Sequence, residues 1–190
     1  YLDFRNSLFA RPQEIEITEN PLKDIVKERG NTWAYVDYDN DGDLDIIVGL
    51  GDWGDYGWDN AYDENGKWKN GPLHGYVYLL ENKNGRYINK GRIKAGKKVI
   101  DVYGAPTPNM YDFDGDGDLD LICGEFVDKL TWFENIGTRE APRFAEGRYL
   151  ENKDGIIKFH IEMILPVAVD FDNDGNIDLM VGDEDGRVAY

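Results

Sequence analysis

A single cysteine in 190 residues excludes a disulfide framework. No run of about 18 consecutive apolar residues occurs, which excludes a membrane-spanning helix and hence membrane insertion by one. Lysine and arginine are scarce beside acid, 21 against 38, for a formal net charge of -17. That balance argues against nucleic acid or an anionic membrane surface as a partner. There are only two histidines. A sustained 3.6-residue period is also missing beyond the short stretch 22–27, which disfavours a helical solenoid. Apolar residues are not missing. At 41% hydrophobic, the chain has enough to bury a sizeable core and is not an acidic disordered tail. Cys123 falls in an apolar, strand-like stretch and is expected as a buried free thiol.

What the chain does have, three times over, is a nine-residue acidic pattern. The central copy carries Asp112, Asp114, Asp116, Asp118 and Asp120, with Gly117 at its sixth position. Asp37, Asp39, Asp41, Asp43 and Asp45 precede it around Gly42, and Asp170, Asp172, Asp174, Asn176 and Asp178 follow it around Gly175. Alternate side chains of such a loop point into one small space, and the glycine allows the turn that closes it. Carboxylates packed this closely repel one another unless a hard cation sits between them, and calcium is the usual one. Three Ca2+ sites are therefore expected. An EF-hand is excluded, because its twelfth position needs a bidentate Glu and here holds Val48, Cys123 and Val181. Short apolar stretches flank each loop on both sides. Strand, acidic loop, strand reads as a β-hairpin whose turn holds a metal.

The loops start at 37, 112 and 170, so their spacings are 112 − 37 = 75 and 170 − 112 = 58. The longer spacing has a visible cause, an insertion at 51–75 before the next strand. Without it each unit is roughly 55 residues and reads as four short strands, which suits a propeller blade. Strands A and B flank the acidic turn. Strand C ends in Glu81 and Asn82, or in Glu134 and Asn135. Strand D covers 86–88 in the first unit and 142–144 in the second. The expected fold is thus all-β, a β-propeller of four-stranded antiparallel blades with about three blades present and the ring incomplete. Residues 1–31 read as outer strands of a preceding blade and a connection, and 32–104 as a blade with the insertion. Residues 105–165 read as a second blade with its connection, and 166–190 as the start of a third. The remaining blades are expected from the same or another chain.

The three acidic loops, each followed by an apolar strand ending in Gly49, Gly124 or Gly182, resemble the FG-GAP/VCBS repeats of integrin-α-like β-propellers. The stretches 135–138 and 142–144 are similar to the outer-strand signature of bacterial VCBS proteins. The resemblance covers about 32–190 and implies calcium ligands at Asp37, Asp39, Asp41 and Asp45, at Asp112, Asp114, Asp116 and Asp120, and at Asp170, Asp172, Asp174 and Asp178. It implies a backbone carbonyl ligand from Asp43, Asp118 and Asn176. The family spans adhesion receptors, lectins and polysaccharide lyases, and its calcium sites imply an extracellular, cell-surface or periplasmic location.

Hairpin parity places the insertion 51–75 on the face opposite the calcium turns. It holds Trp53, Trp58 and Trp68 of the five tryptophans, with Tyr56, Tyr62 and His74. Flat apolar faces edged with polar groups are what sugar rings require, so Trp53, Tyr56, Trp58 and His74 are the candidate carbohydrate contacts. An aromatic mini-core capping the blade is the competing reading. No catalytic spacing is diagnostic. An enzyme built on these residues would be a polysaccharide lyase using His74, Tyr56, Lys67 and Lys69, or a glycoside hydrolase using two of the insertion's carboxylates. An integrin-like protein-adhesion module is the remaining alternative.

Overall fold

The computed structural model describes residues 2–3, 8–9, 14–23, 28–57, 60–160 and 162–190. These residues are all-β, with one 3-10 turn at Pro21–Lys23 and no α-helix. Three antiparallel sheets follow one another along the chain and do not close into a barrel. The first contains Glu28–Val36, Asp45–Asp52, His74–Lys83 and Arg86–Arg92, paired in chain order. Ile17–Thr18 lies parallel to its outer strand, and Asp101–Tyr103 pairs with the start of His74–Lys83. The second contains Thr107–Tyr111, Asp120–Gly124, Leu130–Phe133 and Arg148–Tyr149. The third contains Leu165–Val169, Asp178–Gly182 and Val188–Ala189. Leu2–Asp3 and Leu8–Phe9 form a separate two-stranded ladder.

The strand leaving the acidic turn is the buried core of the first two sheets. Asp45–Asp52 is buried on both faces along nearly its whole length, as its continuous apolar run requires. Alternate side chains go to opposite faces, so one strand serves two interfaces. Ile47 and Val77 of the first sheet pack with Leu121, Cys123 and Phe133 of the second. Ile122 and Leu130 on the second sheet's other face pack with Val181 and Leu179 of the third. Ile46, Val48, Leu50 and Leu80, on the first sheet's remaining face, pack with Ile17 and Trp33. Each fully buried Ile, Leu or Val contributes about 1.5–3 kcal/mol relative to exposure. Cys123 is buried and unpaired, as expected, and burial pushes its thiol pKa up.

In the first two of these strands a glycine, Gly49 or Gly124, lets the chain entering the next sheet pass close by. A Cβ on Gly49 would overlap the Pro106 carbonyl, and one on Gly124 would overlap the Ile164 carbonyl and Thr107 Oγ1. The two approaches are equivalent, since 106 and 164 both lie six residues before an acidic loop.

Two elements differ from the sequence reading. The ladder continues to the pair Asp52 and His74, so the irregular part of the insertion is 53–73. In the second sheet the outer strand is Arg148–Tyr149, not 142–144. Phe144 leaves the ladder because its side chain is fully buried between the first two sheets, and its backbone makes isolated bridges to Asn135 and Ala95.

Candidate functional site

Each acidic turn lies where its sheet's first two strands meet. The turns need left-handed backbone at two positions. The sixth is always glycine: Gly42, Gly117 and Gly175 have φ of 90°, 98° and 90°. The fourth holds Asn40, Gly115 and Asn173, with φ of 59°, 77° and 61°. Asn and Gly are the residues that adopt this conformation at least strain. The restriction at the fourth position is legible in the sequence once all three copies are aligned.

This backbone gathers carboxylate oxygens into three groups: Asp37, Asp39 and Asp41; Asp112, Asp114 and Asp116; and Asp170, Asp172 and Asp178. Within each group one oxygen per residue lies within 4.8 Å of the others. Two oxygens on one calcium ion are at most about 5 Å apart, since each Ca–O distance is roughly 2.3–2.6 Å. Each group is thus able to hold one metal ion. In the first turn Asp37 Oδ1 and Asp39 Oδ1 are buried and have no hydrogen-bond partner among the described residues. Buried carboxylate oxygens without donors are unfavourable, and a cation is the partner their acceptor-only chemistry fits. The donor set therefore suits a hard divalent ion. Asp37, Asp39 and Asp41 would hold it there, Asp112, Asp114 and Asp116 in the second turn, and Asp170, Asp172 and Asp178 in the third.

The ninth-position aspartates have a second task. Asp45 accepts the Tyr38 amide at Oδ2 (2.9 Å) and the Asn82 amide at Oδ1 (2.7 Å). Asp120 accepts the Asn135 amide (2.7 Å), and Asp178 accepts the Phe171 amide (3.0 Å). The carboxylate thus ties the turn to its own strand and, in the first two sheets, to the asparagine ending strand C. Asp45 and Asp120 are nearly inaccessible, and burial pushes Asp120 up to about 6 and Asp45 in the same direction. A carboxylate oxygen has more than one acceptor site, so these bonds leave room for a cation at the same residue. In the fifth position Asp174 instead holds the Asn176 amide and side chain. At the seventh position Asp43 and Asn176 are exposed, whereas Asp118 is buried.

A residue the sequence reading passed over clamps the first turn from the second sheet. Arg139 donates to the Tyr38 carbonyl (3.1 Å) and the Asp37 carbonyl (2.5 Å), and Asn40 donates to Glu140 (3.3 Å). Charge-assisted bonds of this kind contribute about 1.5–3 kcal/mol. Arg139→Ala is therefore expected to destabilise the chain by about that amount. It should also weaken metal binding at the first turn while leaving the other two unchanged. Calorimetric titration of the variant checks this, and equal weakening at all three turns would refute the local role.

The strand Asp45–Asp52 spans roughly 25 Å at about 3.3 Å per residue, so the insertion lies that far from the first acidic turn. Its aromatics divide into buried and accessible sets. Trp53 is buried edge-on against Phe126 (5.4 Å between centroids) and Tyr56 (5.7 Å), with the Arg29 guanidinium 4.8 Å from its ring. It joins the insertion to the loop after Gly124, which is a structural role. Tyr56 packs on Trp68 at 4.5 Å, and both are only half-buried. Trp58 lies outside the described residues. His74 Nδ1 bonds Asp101 Oδ2 at 2.7 Å, its Nε2 lies 3.5 Å from Asp55, and its ring stacks on Tyr76.

Several hollows open at this end, one of about 370 Å³ beside Trp53 and Phe126 and three others that share walls in a row. The largest, about 450 Å³, runs between Asp101, Thr131, Arg148 and Tyr149. A second of about 280 Å³ lies between His74, Tyr103 and Tyr149, and a third of about 340 Å³ between Tyr56, Trp68 and Tyr103. Glu125 lines the first two. It is 4% exposed and accepts the Thr131 hydroxyl at 2.6 Å. Burial raises its carboxyl pKa. Its counterparts in the first and third sheets are Leu50 and Asp183.

The sign of that shift sets a test. A carboxyl whose folded-state pKa lies above its unfolded value destabilises the fold once ionised, and the effect disappears as pH falls below the unfolded value. Glu125→Gln keeps an acceptor for Thr131 and removes the charge. It is expected to raise the melting temperature at neutral pH, with the gain shrinking on acidification. A gain that is constant with pH would contradict this account.

Stacked antiparallel sheets with acid-lined hairpin turns define an all-β repeat protein with metal-competent turns. Residues 112–181, from the second acidic turn through the strand leaving the third, match the family model described as an FG-GAP-like repeat. No curated protein and no solved structure matches the chain.

Proposed function

We propose that the chain is a calcium-stabilised segment of a β-propeller, in a secreted, cell-surface or periplasmic protein, that recognises carbohydrate with the end remote from its acidic turns. The observation that carries the calcium reading is the pair of buried, donorless oxygens on Asp37 and Asp39. Calorimetric titration of chelator-stripped protein tests it: calcium should bind with released heat at turns disabled one at a time by Asp39→Ala, Asp114→Ala or Asp172→Ala. Absence of calcium binding in the unaltered chain would end this reading.

The propeller reading rests on repetition of one interface. Ile47 and Ile122 are each sealed by the next sheet. Met180 is their counterpart, and its face carries Leu165, Val167, Val169 and Val188, which are exposed at 44%, 46%, 36% and 66%. A Cβ on Gly182 would meet nothing closer than 4.0 Å, unlike those on Gly49 and Gly124. Apolar surface of this extent is unfavourable in water. A further sheet of the same type, from the same or another chain, is the proposed cover. A cysteine placed at Val167 should be labelled quickly in this chain and slowly once that sheet is present.

A second reading, a polysaccharide lyase or glycoside hydrolase, draws on the short His74 and Asp101 contact, which orients the imidazole. Appearance of new reducing ends or unsaturated uronate from a bound polysaccharide would favour it over binding alone.

A further inference from the structure

We propose that three of the hollows at the insertion end, those bordered by Trp68, His74 and Arg148, form one continuous groove for an extended, uncharged glycan chain, with Glu125 as the residue on its floor that reads the sugar hydroxyls. The proposal rests on the carbohydrate reading above and adds the length, charge class and central contact of the ligand. The hollows are joined by shared walls. Pro72 and Tyr103 border both the 340 Å³ and the 280 Å³ spaces, and Asp101, Val102, Glu125 and Tyr149 border both the 280 Å³ and the 450 Å³ spaces. The largest alone falls within the roughly 300–1,000 Å³ of small-ligand sites, so three in a row exceed the needs of one ring.

Aromatic surfaces recur along this path. Trp68 and Tyr56 wall one end, Tyr103 stands at the first junction and Tyr149 at the second. Tyr103 and Tyr149 are 39% and 41% exposed, enough to offer a ring face. Successive ring faces suit the C–H faces of successive sugar units. Between them lies Glu125, more than nine-tenths buried. Thr131 holds its Oε1, and Oε2 has no hydrogen-bond donor among the described residues. A carboxylate set deep between two hollows, with one oxygen held by Thr131, has acceptor capacity left for a ligand hydroxyl. Asp101, also on the wall, is held in place by His74 and the Gly75 amide. Carboxylates on the floor and wall, within a chain of net charge -17, disfavour a polyanionic glycan.

The test is calorimetry of the full chain with calcium against cello-, xylo- and manno-oligosaccharide ladders of one to six units, beside an array that includes charged glycans. For at least one ladder, affinity should rise about tenfold or more between one and four units, the equivalent of about 1.4 kcal/mol. Glu125→Gln should weaken every length about tenfold with the melting temperature held or raised, and Tyr149→Ala should flatten the length dependence. Binding that is independent of length, or indifferent to both variants, overturns the groove and leaves the carbohydrate reading standing. So does binding on the array to charged glycans only. No binding to any glycan overturns both.

Discussion

Stripping calcium from this chain is expected to lower its melting temperature by roughly 5–10 °C for each turn that loses an ion. A ligand present at about one hundred times its Kd stabilises the folded state by about 2.7 kcal/mol per site. For a chain of this size, each kcal/mol moves the midpoint by about 2–4 °C. The expected effect is large because a bound metal would offset a cost already built into the fold. Three carboxylate groups are gathered within 4.8 Å in each turn, and in the first turn two buried oxygens lack any other partner. Without a cation, the turn must either open or keep like charges in contact. Asp116→Ala should weaken one site only, because the three groups lie on three separate sheets. Thermal melts in excess chelator, with and without calcium restored, provide the measurement. Superimposable curves would rule out calcium as a stabiliser.

Gly124→Ala is expected to destabilise the chain by about 1–3 kcal/mol, at the upper end of that range. The added methyl would overlap the Ile164 carbonyl and the Thr107 hydroxyl, which are themselves hydrogen-bonded at 2.7 Å. A flexible side chain would swing aside. A backbone carbonyl at the start of the next sheet moves only if that sheet moves. The drop in melting temperature should be roughly 5–10 °C at about 2–4 °C per kcal/mol. Gly182→Ala, at the matching position of the third sheet, meets open space and should shift the midpoint little. A chemical denaturation pair settles the comparison. Similar losses in both variants would mean that the glycine serves strand conformation and not the approach of the following sheet.

The acidic turns show how far repetition in a sequence reaches. A single run such as 112–120 specifies a turn and a metal-like ligand spacing, because alternation and glycine placement act over a few residues. Three copies add sheet order, since each copy is followed by the same apolar strand and terminal glycine. The apolar strand leaving each turn as far as its glycine, the hairpins and the free buried Cys123 were legible for that reason. The outer strand of the second sheet was not. The stretch 142–144 has strand-like composition, but Phe144 is drawn into the seam between sheets, a decision made by packing and not by local preference.

The site divides along the same line. Local spacing alone determined that the aspartates of each turn converge, because their reach is set by a nine-residue loop. Only the tertiary structure decided that Asp45 and Asp120 also bond the amides of Asn82 and Asn135, and that Arg139 clamps the first turn from the neighbouring sheet. These partners lie 37, 15 and 102 residues apart in the chain. At the other end, aromatic content marked the insertion, but sequence could not separate buried Trp53 from half-buried Trp68. That separation depends on whether Phe126 and Arg29 arrive to cover one ring and leave the other. Glu125 was hidden for the same reason. An isolated acid after a strand carries no local pattern, and its meaning comes from Thr131, Asp101 and Tyr149 meeting around it, contacts that exist only once the sheets have stacked.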